Sequence, residues 1–113
     1  MAAVNEGNYE EAYQIICQSN LFGAITGRVC PQESQCELVC VRAIKGAPVG
    51  IGFVEKFLAD WARERGIRPK ADILPSNGKR IGIVGSGPAG MSAAADLIRA
   101  GALLDACGLE FVL

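Results

Sequence analysis

Cys30-Pro31-Gln32-Glu33-Ser34-Gln35-Cys36-Glu37-Leu38-Val39-Cys40 sets three cysteines at C-x5-C-x3-C spacing within eleven residues. Thiolates are soft ligands, and three on one short segment can supply three positions around zinc or three corners of an iron–sulfur cubane. Pro31 fixes the backbone directly after Cys30 and keeps a helix from starting there. Cys36 and Cys40 stand at i and i+4, so a helix from about Ser34 would put both on one face. The spacing differs from the C-x2-C-x2-C run of bacterial ferredoxins. The competing reading is three reduced thiols in a small helical core, where cysteine packs as a small apolar residue.

Composition narrows the setting. The chain has 113 residues, 50% of them apolar, and a formal net charge of −1. It has room for one ordinary domain or two small ones with a packed core, and it lacks the basic surface that nucleic acid requires. No window approaches ~18 uninterrupted apolar residues, so no membrane span is expected. Met1-Ala2-Ala3-Val4-Asn5-Glu6-Gly7 lacks the basic and apolar regions of a secretory signal. A reducing compartment, the cytoplasm, is therefore expected, and five cysteines there read as ligands or reduced thiols rather than as a disulfide frame. The chain has no histidine, which excludes His-based zinc sites, Cys/His pairs and Ser/His/Asp triads.

On the N-terminal side, Asn8 to Cys17 reads as a helix whose Tyr9, Ala12, Tyr13 and Ile16 form one apolar stripe. Glu10 and Glu11 suit its positive end, and Asn20 and Gly23 mark its finish. On the C-terminal side, Gly46-Ala47-Pro48 opens a second helix with Pro48 in its first turn. Ile51, Val54, Leu58, Trp61 and Ala62 form its buried side, and it stops near Gly66. Glu55 falls on that same side. A bare carboxylate there is costly, so Glu55 is the preferred fourth metal ligand, ahead of Cys17 and Cys107. The bland alternative is a salt bridge to Arg42 or Lys45.

A Pro- and Gly-rich linker spans residues 67–79. Ile81-Gly82-Ile83-Val84 then reads as a short buried strand, Pro88 to about Ala100 as a helix, and Leu109-Glu110-Phe111-Val112-Leu113 as a second strand. Between the first strand and its helix lies Gly85-Ser86-Gly87-Pro88-Ala89-Gly90, a G-x-G-x-x-G in the strand–turn–helix setting of a dinucleotide site. Gly85 permits the turn, Gly87 admits a pyrophosphate to the backbone, and Gly90 lets helix and strand pack closely. The N–H groups of the helix start then face the phosphates. The alternative is a glycine-rich turn with no ligand.

Ala24-Ile25-Thr26-Gly27-Arg28-Val29-Cys30-Pro31-Gln32-Glu33-Ser34-Gln35-Cys36-Glu37, with Cys40-Val41, Ile44-Lys45-Gly46, Pro48-Val49 and Ile51-Gly52, resembles the small (β) subunit of NADPH-dependent glutamate synthase. Its relatives are ferredoxin–NADP oxidoreductase subunits and the N-terminal part of dihydropyrimidine dehydrogenase. The resemblance implies an α-helical ferredoxin-like domain followed by the first β-α(-β) unit of a Rossmann-like FAD-binding domain, in a chain that is mainly α. It implies domains at 1–66 and 80–113 on either side of the linker. Cys30, Cys36 and Cys40 match three ligands of one 4Fe-4S cluster, and Glu55 matches a fourth ligand that is Glu or Gln in relatives. The upstream cysteine group of the family's other cluster is missing and Thr26 stands where its last ligand is a cysteine, so one cluster is expected. GSGPAG is the family's flavin fingerprint, which makes Gly85, Gly87, Pro88, Ala89 and Gly90 part of an FAD site.

The leading expectation is therefore an electron-transfer module, with electrons passing from NADPH to FAD to the cluster and on to a partner. That partner is a larger catalytic subunit or the remainder of the flavoprotein. The competing expectation is a non-catalytic helical docking module, metal-free or with structural zinc. Neither a complete flavin domain nor an NADPH site fits in the sequence, so the chain reads as a fragment or truncated form, and its apolar end from Leu103 to Leu113 favours self-association. The isolated chain should oxidise no NADPH and bind FAD weakly or not at all. Titration followed by flavin fluorescence checks this, and stoichiometric submicromolar binding contradicts it.

Overall fold

The computed structural model describes residues 1–107. The chain divides into two compact units, Met1–Pro69 and Lys70–Leu113. Helices predominate, and the sheet among the described residues is one parallel pair of strands. No helix among the described residues is long and apolar enough to cross a membrane.

The first unit contains α1 (Ala2–Asn5), α2 (Tyr9–Cys17), α3 (Gly23–Val29) and α4 (Ile51–Glu64). In α2 the stripe seen in the sequence faces inward. The Asn8 side chain accepts the Glu11 N–H at its start, and Glu10 and Glu11 lie in its first turn. Ala3, Ala12 and Leu58 form the small core, with Val4, Tyr9, Tyr13, Ile16 and Val54 packed around it. Among the described residues Leu58 is the one large side chain fully enclosed, and burying it contributes about 1.5–3 kcal/mol relative to exposure. Tyr9 meets both Phe57 and Trp61 edge-on, with ring centres 5.1 and 5.7 Å apart.

The helix α3 has no counterpart in the sequence reading, which took Gly23 as a stop signal. Gly23 instead opens a helix, because Asn20 Oδ1 accepts the Phe22 N–H and turns the chain there. Gly23 is buried close to the Glu55 backbone, where a β-carbon would sit 3.7 Å from the carbonyl oxygen. At Gly27 the two helices come closer still. A β-carbon there would lie 2.7 Å from the Lys56 nitrogen and 2.9 Å from the Gly52 carbonyl oxygen. Arg28 spans the same crossing with a two-pronged contact to the Asp60 carboxylate at 2.8 and 2.7 Å. That contact is the main reason the Asp60 carboxyl is held below its usual range. Its stabilisation is present above the unfolded-state value and fades as pH falls through the folded one.

Two further expectations are corrected. No helix runs through Cys36 and Cys40. A 3-10 turn at Gln32–Ser34, a run of turns, and a second 3-10 segment at Val41–Ile44 take its place. The cause is that Gln32 and Glu37, both buried, are drawn to the same α3–α4 crossing. On a helix, positions five apart point about 140° away from each other. Helix α4 starts at Ile51, leaving Pro48 outside it, because the Val49 N–H is turned toward the Cys40 sulfur at 3.5 Å.

The second unit is a β-α-β arrangement. Strand β1 (Arg80–Val84) leads to α5 (Pro88–Arg99) and then to β2 (Leu103–Cys107), which pairs parallel with β1 from Arg80–Leu103 to Val84–Cys107. The strand expected at 109–113 lies outside the described residues, and the pairing strand begins at Leu103 instead. Residues 70–79 have no regular structure but are not idle. Leu74 and Asn77 donate backbone N–H groups to the Arg99 and Gly101 carbonyls, and the Asn77 amide caps Ala100. They satisfy carbonyls that the end of α5 leaves without helical partners.

Because the α3–α4 crossing brings backbone against backbone at Gly27, Gly27→Ala should lower the stability of the metal-free chain by about 1–3 kcal/mol. Thermal or urea unfolding followed by helical circular dichroism measures this.

Candidate metal centre and glycine loop

The cysteine loop leaves α3 at Cys30 and returns to α4 at Gly50. It is anchored by two polar side chains that the sequence reading did not single out. Gln32 Nε2 donates to the Thr26 carbonyl at 2.9 Å, and its amide lies flat against Gly52. Glu37 Oε1 accepts the Gly52 N–H at 3.3 Å. Helix α4 has no side-chain cap of its own and no acidic residue in its first turn, so Glu37 supplies both from a distant part of the loop. The signal in the sequence was only that two polar residues flank Cys36.

Around those anchors Cys30 and Cys36 are exposed and Cys40 is half-buried. Cys30 lines a shallow cleft of about 250 Å³ with Gln32, Glu37, Gly52 and Phe53. The Cys40 sulfur accepts the Val49 N–H. That bond, then the Arg42 N–H, lowers the Cys40 thiol below its usual range, helped by the Ala43 N–H and the charge of Arg42. Among the described residues no three Cys, Asp or Glu side chains lie close enough to hold one metal ion. The three thiols, expected to converge with Glu55 facing them, share a loop without converging.

Glu55 makes neither of the salt bridges the sequence offered. Its Oε2 accepts the Thr26 hydroxyl at 3.0 Å and its Oε1 accepts from the Asn20 amide at 3.3 Å. It is half-buried and lines a cleft of about 380 Å³ with Tyr13, Cys17, Asn20 and Arg63. Burial pushes the Tyr13 hydroxyl up to about 12, with a hydrogen bond to Cys17 adding to it, so this phenol stays protonated at neutral pH. Cys17 is buried in α2, away from the exposed loop thiols.

The glycine loop has the local geometry that its spacing predicts. Gly85 has a φ of +109°, which side chains rarely adopt. A β-carbon on Gly90 would strike the Gly85 carbonyl, and Ile83 packs just beyond. Around Gly87 nothing lies within 4 Å of where a β-carbon would be. Pro88 occupies the first turn of α5, and no side chain caps that helix. The N–H groups of Ala89 and Gly90 therefore belong to the first-turn donors that a helix cannot satisfy internally.

The first unit is thus a small, mainly helical domain with a loop of thiols pinned to a helix pair. The chain belongs to the family described as dihydropyrimidine dehydrogenase domain II, 4Fe-4S cluster, whose model matches residues 1–67. It is 43% identical over 98 residues to the glutamate synthase (NADPH) small chain of Azospirillum brasilense, covering 82% of this chain and 20% of that protein. It is 39% identical over 97 residues to the glutamate synthase (NADPH) small chain of Escherichia coli (strain K12), covering 86% of this chain and 21% of that one. A putative oxidoreductase of the same organism, AegA, is 39% identical over 98 residues, 87% of this chain and 15% of its own length. The chain thus spans about a fifth or less of the length of these relatives.

The donor set suits the cluster that the family name implies. Its thiols are soft ligands, two are open to solvent, and the third already accepts a backbone N–H bond that favours the thiolate. In the metal-free protein Cys40 should react with iodoacetamide at a lower pH than an unperturbed thiol does. Val49→Pro, which deletes the first donor, should move its rate profile back to higher pH. Mass-spectrometric labelling rates across pH 6–10, a range chosen to bracket the usual thiol value of about 8.5, decide this.

Proposed function

We propose that this chain is the iron–sulfur electron-transfer module of a glutamate synthase small-subunit-like oxidoreductase. Cys30, Cys36 and Cys40 are its cluster ligands and Glu55 is the fourth. The observation that carries the reading is the anchoring of the thiol loop. Gln32 and Glu37 fix it to the α3–α4 crossing, and Glu55 stands one helical turn after Gly52, the residue both anchors touch. Residues at i and i+3 share a helix face, and this spacing from Gly52 supports Glu55 as the ligand contributed by α4. A bound 4Fe-4S cluster supplies a one-electron carrier, linking a reduced flavin to an acceptor on a larger catalytic subunit. The backbone N–H on Cys40 stabilises charge on sulfur, and the anchors limit the loop to one approach.

In the same reading Gly85, Gly87, Pro88, Ala89 and Gly90 form the FAD phosphate-binding loop. The positive φ at Gly85, the open space at Gly87 and the uncapped start of α5 support it. One face of β1 carries Ile83 against α5, while Val84 on the other is 92% exposed. A lone parallel pair of strands is marginal unless both faces are covered, which fits one edge of a larger flavin domain. Self-association through residues 103–113 concerns mostly residues outside those described.

One observation favours the second reading, a helical docking module without iron. Leu38, Val39, Val41 and Ile44 in the cysteine loop are each more than two-thirds exposed, and such patches mark interaction sites. Metal content separates the two. Protein purified or reconstituted without oxygen should contain iron and sulfide and absorb broadly in the visible. Cys36→Ala should abolish that absorbance and Cys17→Ala should preserve it. Zinc in place of iron, or no metal after reconstitution, would overturn the electron-transfer reading.

A further inference from the structure

We propose that Thr26, together with Asn20, is a positioning residue for Glu55, and that its hydroxyl fixes the orientation of the carboxylate at the α3–α4 crossing. The inference rests on Glu55 being a cluster ligand. It begins with a coincidence at one residue. The Thr26 carbonyl accepts Gln32 Nε2 from the thiol loop, and the Thr26 hydroxyl donates to Glu55 Oε2. The anchor of the loop and the holder of the carboxylate are therefore the same residue of α3.

The donors and acceptors balance around it. Asn20 Oδ1 accepts the Phe22 N–H, which fixes which end of that amide is nitrogen. Its NH2 group then donates to Thr26 Oγ1 at 2.9 Å and to Glu55 Oε1 at 3.3 Å. The Thr26 hydroxyl accepts from Asn20 and has one proton to give, with two acceptors in reach. These are Glu55 Oε2 at 3.0 Å and the Phe22 carbonyl at 3.1 Å. A carboxylate is the stronger acceptor. Should one carboxylate oxygen be committed to metal, the hydroxyl can turn to Phe22 without being stranded. Partners of this kind orient metal ligands, and losing one typically costs 10–100-fold in metal affinity.

The test uses the full reconstituted chain and two readouts. One is the rate of iron loss to an excess chelator, and the other is the electron paramagnetic resonance signal of the dithionite-reduced cluster. Thr26→Val and Asn20→Ala should lose iron about 10-fold faster than the parent and shift the signal in the same direction as Glu55→Ala. Thr26→Ser, which restores the hydroxyl, should behave as the parent. If Glu55→Ala changes both readouts while Thr26→Val and Asn20→Ala change neither, the positioning role is wrong and the ligand stands. Should Glu55→Ala itself match the parent, the ligand reading fails, and this inference with it. Faster iron loss from Thr26→Val with an unshifted signal, or equal loss from Thr26→Ser, would show a merely structural effect and also overturn the proposal. If Thr26→Val fails to fold when metal-free, Asn20→Ala carries the same decision.

Discussion

The close crossing of α3 and α4 is the constraint on which the thiol loop depends. Gly27 and Gly52 let the two backbones meet where a β-carbon on Gly27 would be 2.7 Å from the Lys56 nitrogen. Gln32 fills the space over Gly52 that a side chain would otherwise take, and Glu37 caps the start of α4. A larger residue at Gly27 would push the helices apart, and one at Gly52 would displace the Gln32 amide. The apolar core of the unit is small, with Leu58 its one fully enclosed large side chain. Much of what holds the loop in place is therefore polar and directional, and buried polar groups must be paired to be tolerated.

This division of labour explains the exposed thiols. A small helical unit can satisfy its own core through α1, α2 and α4 and leave the cysteines outside it. Cys30 and Cys36 are consequently available to a ligand rather than consumed in packing, while Cys17 is packed into α2. The loop reaches the helices through Gln32 and Glu37, and its thiol-bearing stretch has only short 3-10 turns in place of a regular hydrogen-bond ladder. Glu55 is held differently, by two side-chain donors from α3 and the α2–α3 connection. The glycine loop of the second unit follows a separate logic, in which the backbone at Gly85 and Gly87 has no side chain within 4 Å of where a β-carbon would be.

Several elements were legible in the residues alone because their signals are local. The stripe Tyr9, Ala12, Tyr13 and Ile16 recorded α2, and the run from Ile51 to Ala62 recorded most of α4. The apolar Ile81–Val84 followed by a glycine motif recorded β1 and the start of α5. The family, too, was legible, from the cysteine spacing and its neighbours. Local signals also misled. Gly23 reads as a terminator in isolation but begins α3, because its lack of a side chain serves packing against α4. Cys36 and Cys40 have helical spacing but no helix, since spacing carries no information about where Gln32 and Glu37 must go. The pairing of Leu103–Cys107 with β1 had no local signal, since a parallel neighbour is selected across the fold.

The sequence by itself determined the donor inventory, the positions of the strongly periodic helices and the turn geometry of the glycine loop. Each of these rests on residue chemistry or on contacts a few positions apart. Only the tertiary structure decided who partners Glu55, what caps α4 and how the thiol loop is tethered. Those contacts span 6 to 35 residues. They exist because two glycines allow helices to touch, and nothing in either segment alone specifies the other as its partner.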